Sequence, residues 1–327
     1  MNRTAMGRRA FLGRAGGAAA GVLLAVGCNE TDSRHSSTAP RPAHFIDTHT
    51  HFYDPSRAQG VPWPPKDIPK LYRTVLPELY RSQSVTRHAD ATVVVEASEW
   101  VEDNQWILDL ADKNSLLIGF VGNLPVGSPE FPGLLRRFSK NKHFSGIRLR
   151  DPFLKQALSS AEFWPHLRLL AQHGLELDIN LGPTMLSGVT RIAKELPDLR
   201  IVIDHIGNVR IDGKEPPDAW RRGIAEAAAR GNVYCKLSSV VDGAGRKDGS
   251  TPTDVSFYEK ALDVVWSSFG EERLIYGSNW PVSELYASLD VVQNLALQYV
   301  GSKGASALDR VFWKNALTFY HCKLQVE

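Results

Sequence analysis

Residues 45–51 read Phe45-Ile46-Asp47-Thr48-His49-Thr50-His51, an apolar approach that runs into two imidazoles two positions apart. If this segment is a strand, the period of two along it points Asp47, His49 and His51 to one face. Two histidines so placed suit either of two tasks: gripping a single metal ion, or acting as a proton-transfer and anion-binding pair. A lone His-x-His is as readily one packed histidine beside an ordinary loop residue, so its meaning depends on the rest of the chain.

The chain beyond residue 51 is regular. Short runs rich in aliphatic and β-branched residues lie at 44–48, 92–96, 116–122, 146–149, 175–181, 200–204, 233–237 and 273–276. Most are continuously apolar, which suits parallel strands covered on both faces. Amphipathic stretches at 104–112, 163–173, 185–196, 217–230 and 256–269 lie between them. Eight strands with intervening helices predict an α/β fold, a (β/α)8 TIM barrel in a single domain over 44–327, which is long enough for the ~250 residues that fold takes. An open doubly wound sheet would place a glycine-rich phosphate loop after the first strand, and this sequence has none there. The long connection from 51 to 92 carries Pro62-Trp63-Pro64-Pro65. It is read equally as a wall of the active end or as a surface excursion.

The N-terminus reads as an address. Residues 1–28 contain Gly7-Arg8-Arg9-Ala10-Phe11-Leu12, similar to a twin-arginine export signal, then a weakly apolar stretch too short for a comfortable membrane span. It ends at Ala25-Val26-Gly27-Cys28, a loose lipoprotein cleavage box with Cys28 as the lipidated residue. Residues 29–43, rich in Ser, Thr, Pro and Arg, form a flexible tether. The expectation is an exported protein, periplasmic or in the cell envelope, whose one membrane contact is the lipid on Cys28. Net charge is +2 without a long basic run beyond the first residues, so a small molecule is expected as partner, not nucleic acid. Oligomeric state is not fixed by the sequence. Cys235 and Cys322 read as packing residues, which leaves the chemistry to His, Asp, Glu, Lys and Arg.

In such barrels the reactive groups sit at the C-terminal ends of the strands. Those positions hold His49 and His51, Glu96, Arg148 and Arg150, Asp178 and Asn180, Asp204-His205, Lys236 with Ser238 and Ser239, and Gly277-Ser278-Asn279-Trp280-Pro281. Three of the ten histidines reach strand ends, and these three, His49, His51 and His205, are the candidates.

The motif 47–51, together with Phe144-Ser145-Gly146-Ile147-Arg148, Val202-Ile203-Asp204-His205-Ile206-Gly207, Cys235-Lys236-Leu237-Ser238 and 273–282, resembles the amidohydrolase superfamily. The likeness is to its amidohydrolase-2 branch of sugar lactonases and pyrone-dicarboxylate lactonase-like enzymes, and a terminal helix at 311–320 fits the same pattern. The resemblance implies a hydrolase opening a small sugar-derived or carboxylated lactone. His49, His51 and His205 would bind one divalent, zinc-like ion, or polarise the substrate carbonyl without metal. Arg148 would hold a carboxylate or hydroxyl through its planar fork. Lys236 would add positive charge or snorkel from the barrel end, and Trp280 would stack on the ring or be buried in the wall.

Two positions depart from the family pattern. Asn279 stands where an aspartate usually serves as general base, and an amide cannot take that proton. Glu96 stands where glutamine is common. One reading moves the carboxylate across the barrel, with Glu96 as base and Asn279 positioning the water; the other is a site of altered or absent activity. A metal-dependent non-oxidative decarboxylase or hydratase on the same barrel, and a non-catalytic sugar-acid-binding lipoprotein, are the alternative functions.

Overall fold

The structure, a computed structural model, describes residues 41–324. The signal over 1–28 and the tether as far as residue 40 lie outside the described residues. Eight strands form one parallel sheet in chain order: β1 (Ile46–Thr50), β2 (Ala91–Val95), β3 (Leu117–Gly122), β4 (Phe144–Arg150), β5 (Glu176–Asn180), β6 (Ile201–Ile203), β7 (Val233–Leu237) and β8 (Leu274–Tyr276). The barrel closes at its rim, where Thr50 bridges Trp280 and the His51 amide donates to the Trp280 carbonyl at 2.9 Å. This is the (β/α)8 barrel that the strand count predicts.

The helices are α1 (Pro77–Arg81), α2 (Asp103–Ala111), α3 (Phe131–Phe138), α4 (Asp151–Ala157), α5 (Phe163–Gln172) and α6 (Leu186–Glu195). They continue with α7 (Asp218–Ala228), α8 (Val240–Gly243), α9 (Glu259–Phe269), α10 (Leu289–Gly301), α11 (Ala305–Asp309) and α12 (Asn315–Tyr320). Alternation along each strand divides the apolar residues between two cores. Val94, Ile147, Ile179 and Ile203 pack outward against the helices, whereas Ile46, Val93, Val202 and Ile275 face inward. The inward cluster is capped by Phe319 and Tyr320 of α12, so the chain's last helix plugs the end where the strands begin. The opposite end is left for chemistry.

One expectation about β1 fails. Its pairing with β2 shifts register between Asp47 and Thr50, which interrupts the period of two. Asp47 therefore does not share a face with the histidines. Its Oδ2 accepts from Tyr80 of α1 at 2.8 Å, and its Oδ1 accepts from the Ser278 amide at 2.8 Å and the His49 amide at 3.1 Å. The first residue of the motif is a clasp between β1 and β8.

Candidate active site

Three consecutive strand ends leave the sheet through left-handed backbone: His205 and Ile206 after β6 (φ 56° and 47°), Ser239 after β7 (φ 50°) and Asn279 after β8 (φ 59°). Non-glycine residues adopt this conformation at a cost of about 1–3 kcal/mol each, and such outliers concentrate at functional sites. Here the sharp turns aim His205, Ser239 and Asn279 into one cavity of about 560 Å³ at the C-terminal mouth. His51, Arg148, Arg150, Asn180, Asn208, Arg210 and Asp242 belong to the same polar wall, and Trp63 and Tyr286 are its aromatic members. The long β1–β2 connection is thus a wall of the site. It brings the Trp63 ring edge-on to His51 with centroids 5.9 Å apart.

The histidines are buried and held neutral. Burial, then the charge of Arg148, brings His51 down to about 3. Burial, joined by Arg148 and Lys236 and opposed by Asp204, brings His205 to about 4. His49 lies well below its usual value through burial and then Lys236. The His205 Nδ1 stands 2.8 Å from the Ser238 hydroxyl, which already accepts from the His205 amide at 3.1 Å. The hydroxyl proton is therefore free to go to Nδ1, which places the ring's own N–H on Nε2. In His51, Nδ1 faces the Val95 carbonyl at 2.9 Å, so it carries the proton. Its Nε2 then shows a lone pair beside Asn279 Oδ1, 3.3 Å away. Two acceptors side by side call for a donor between them, such as a water or a substrate hydroxyl.

Lys236 neither snorkels nor reaches the cavity. It is fully buried inside the barrel, with Nζ 2.5 Å from Asp178 Oδ2, 3.3 Å from Asp204 Oδ1 and 3.2 Å from His49 Nδ1. Burial opposes ionisation of Asp204, but Lys236 and His49 outweigh it and hold that carboxyl well below the usual range. Burial pushes Asp178, which shares the ammonium, up to about 7. His49 Nδ1 lies between the Lys236 ammonium at 3.2 Å and Asp204 Oδ1 at 3.4 Å, where it can accept from the first or donate to the second.

These contacts decide how well the donors fit a metal. His49, Asp204 and His205 bring ligand atoms within 4.8 Å of one another, and His49 Nε2 and both Asp204 oxygens have no hydrogen-bond partner among the described residues. This set replaces the expected His49, His51 and His205, because His51 is turned onto Val95 and Asn279. The fit fails at Lys236. A divalent ion about 2 Å from Asp204 would share a buried site with an ammonium roughly 5 Å away, a repulsion on the order of 6 kcal/mol even at an effective dielectric of 20. The lysine supplies the positive charge that this carboxylate needs, and the residues do not suit a tightly held divalent ion.

Glu96 and Trp280 also differ from expectation. Glu96 Oε1 accepts from Arg148 Nε at 2.9 Å, and both Glu96 oxygens accept from Arg150 Nη2, at 2.7 and 2.8 Å. Glu96 is absent from the cavity wall. A carboxylate whose oxygens are taken up by two guanidiniums is a brace, so it positions the arginines. Trp280 is fully buried, donating Nε1–H to Glu284 Oε1 at 2.7 Å and packing edge-on to Tyr80, and it is closed off from the ring of any ligand.

Sequence reasoning misses Asp242. It lies in α8, just beyond the β7 end, where a single acid reads as an ordinary loop residue. Its Oδ2 accepts from Asn279 Nδ2 at 2.8 Å and from the Ser239 hydroxyl at 2.9 Å. The one available signal is a lone acid directly after the apolar pair Val240-Val241, close behind a strand end.

The family profile described as "Amidohydrolase" matches residues 46–322. The chain belongs to the amidohydrolase family. It is 31% identical over 284 residues to L-fucono-1,5-lactonase of Burkholderia ambifaria, an alignment covering 84% of this chain and 94% of that protein. A second L-fucono-1,5-lactonase, from Burkholderia multivorans, is 26% identical over 275 residues, covering 82% of this chain and 92% of that one. Among solved structures, an amidohydrolase from Burkholderia multivorans with bound HEPES superposes with a TM-score of 0.78 at 25% identity, covering 86% of this chain and all of that one. A zinc-bound form gives 0.77. The two named lactonases are hydrolases of a cyclic ester.

Proposed function

We propose that this amidohydrolase opens a sugar-derived or carboxylated 1,4- or 1,5-lactone to its hydroxy acid without a metal ion. The observation that carries the reading is the cavity wall. Neutral His205 presents an N–H, His51 and Asn279 present acceptors, and Arg148 and Arg150 offer guanidiniums, while the Ser239 hydroxyl is spent on Asp242 and not on a histidine. Such a wall suits attack by water on a polarised carbonyl, with the developing oxyanion held by pre-aimed donors. Glu96 takes Nε and Nη2 of both arginines, which leaves the two Nη1 groups to suit a carboxylate or hydroxyl. Asn279 and His51 suit orienting the water.

The metal-dependent decarboxylase reading relies on a cation to polarise its substrate, and Lys236 argues against it. A panel of aldono-1,4- and 1,5-lactones, L-fucono-1,5-lactone among them, assayed with a pH indicator before and after chelation, tests the proposal. Turnover unchanged by chelator is expected; hydrolysis of no panel member above buffer would overturn it. The export signal belongs to the same proposal, and fractionation of cells that express the full chain should place the enzyme in the envelope.

A further inference from the structure

The aspartate missing from the end of β8 leaves the reaction without an evident proton acceptor. We infer that Asp242, carried by α8 beside the end of β7, is the general base that deprotonates the hydrolytic water. The inference rests on the lactone-hydrolase reading above and names the group that the family pattern would place at 279.

The geometry carries it. Asp242 and Asn279 line the same cavity and are joined by a hydrogen bond of 2.8 Å. The carboxylate is thus displaced by one side chain from the position where aspartate is usual. Asn279 Nδ2 and the Ser239 hydroxyl both donate to Oδ2, which fixes the carboxylate plane, while Oδ1 is closed off from solvent and has no hydrogen-bond partner among the described residues, so a water meets it only by a turn of the carboxyl toward the cavity that Asp242 lines. Asn279 spends its Nδ2 on Asp242 and turns Oδ1 toward His51. A water in reach of these groups gives one proton to Asp242 and the other to the Asn279 or His51 acceptor, which leaves a lone pair for the ring carbonyl.

The other acceptors in the cavity serve less well. Glu96 is bound by two arginines, and His51 and His205 are weak bases at about 3 and about 4. Burial, opposed by the Asn279 and Ser239 hydrogen bonds, lifts Asp242 to about 6, near the value that favours proton transfer at neutral pH. Among the charged groups around it, Lys247 acts from beyond α8 and lowers the value. Tyr258, ahead of α9, feels the carboxylate's charge. Arg210 and His205 face the same cavity from the β6 side.

In the step itself, the water oxygen bonds to the carbonyl carbon as one water proton passes to Asp242, and the carbonyl π electrons move to the oxygen facing His205. Collapse of that oxyanion breaks the bond to the ring oxygen, which takes the proton back from Asp242. The product is the open hydroxy acid, and the carboxylate is restored.

The test compares the parent, Asp242→Asn, Asp242→Glu and the exchange Asp242→Asn/Asn279→Asp on the panel lactone that the parent turns over fastest. Asp242→Asn is expected to lower kcat at least 100-fold with KM within threefold, and to remove the rise of kcat/KM through about pH 6. Asp242→Glu should keep that rise, and the exchange should recover part of kcat. A parent that is active while Asp242→Asn retains more than a third of kcat, or keeps the parent's pH limb, overturns the base assignment alone. A parent that turns over no lactone overturns the hydrolase reading and the base with it.

Discussion

Lys236, Glu96 and Asp242 show how a charged side chain takes different work according to its neighbours. Lys236 pairs with two buried aspartates and stands against His49 Nδ1, so Lys236→Met leaves that carboxylate pair without its cation. Breaking a buried pair from one side costs about 3–5 kcal/mol, and the urea midpoint should fall accordingly. Glu96→Gln removes the charge that braces Arg148 and Arg150. KM should rise about tenfold while the acid limb of the pH profile stays, whereas a Glu96 base would lose turnover and limb together. Asp242 titrates near 6 when folded against 3.8 when free. A raised carboxyl value means its favourable contribution is complete below about 3.8 and lost as pH rises through about 6. Asp242→Asn should therefore gain in Tm relative to the parent at pH 8 and show no such gain at pH 4. A catalytic group held at a cost to stability behaves in that way.

The eight strands are legible in the sequence because buried parallel strands are continuous apolar runs, and the observed limits differ from the expected ones by a few residues, as at β1 and β4. The helices α1, α3, α4, α8, α10 and α11 lie outside the helical stretches expected from the sequence. In α3 the apolar stripe of Phe131, Leu135 and Phe138 falls at i, i+4 and i+7, a helical spacing present in the sequence, with Arg136 and Arg137 on the exposed face. The site is legible only as far as residue identity carries. His49, His51, His205 and Arg148 sit at strand ends as expected, but their partners depend on the register shift in β1 and the left-handed exits from β6, β7 and β8, which no alternation pattern reports. Close approach of strands adds a further constraint. A Cβ at Gly277 would lie 2.7 Å from His49 Cβ, so Gly277→Ala should push β1 from β8 and tilt His49. Activity should fall tenfold or more while far-UV circular dichroism stays near the parent's.

Across the whole molecule, the barrel separates stability from chemistry by its two ends. Phe319 and Tyr320 fill the entrance end, and the Tyr320 hydroxyl reaches Asp178 at 3.3 Å, so the C-terminal plug touches the buried ion cluster beneath the site. Removing residues 315–327 would expose the inward core, with about 1.5–3 kcal/mol lost for each large side chain. The truncated protein should lose cooperative thermal unfolding in near-UV circular dichroism. The sequence announces this helix through its motif but not its place, because plugging is a property of the closed barrel. The central claim is that a neutral-histidine cavity, with Lys236 as its internal cation and Asp242 as its base, hydrolyses a lactone without metal. It is tested most directly by kcat/KM of chelator-treated, metal-analysed enzyme between pH 4.5 and 8. The account predicts full activity that rises through about pH 6 and is unchanged by added zinc; activity lost on chelation and restored by zinc would contradict it.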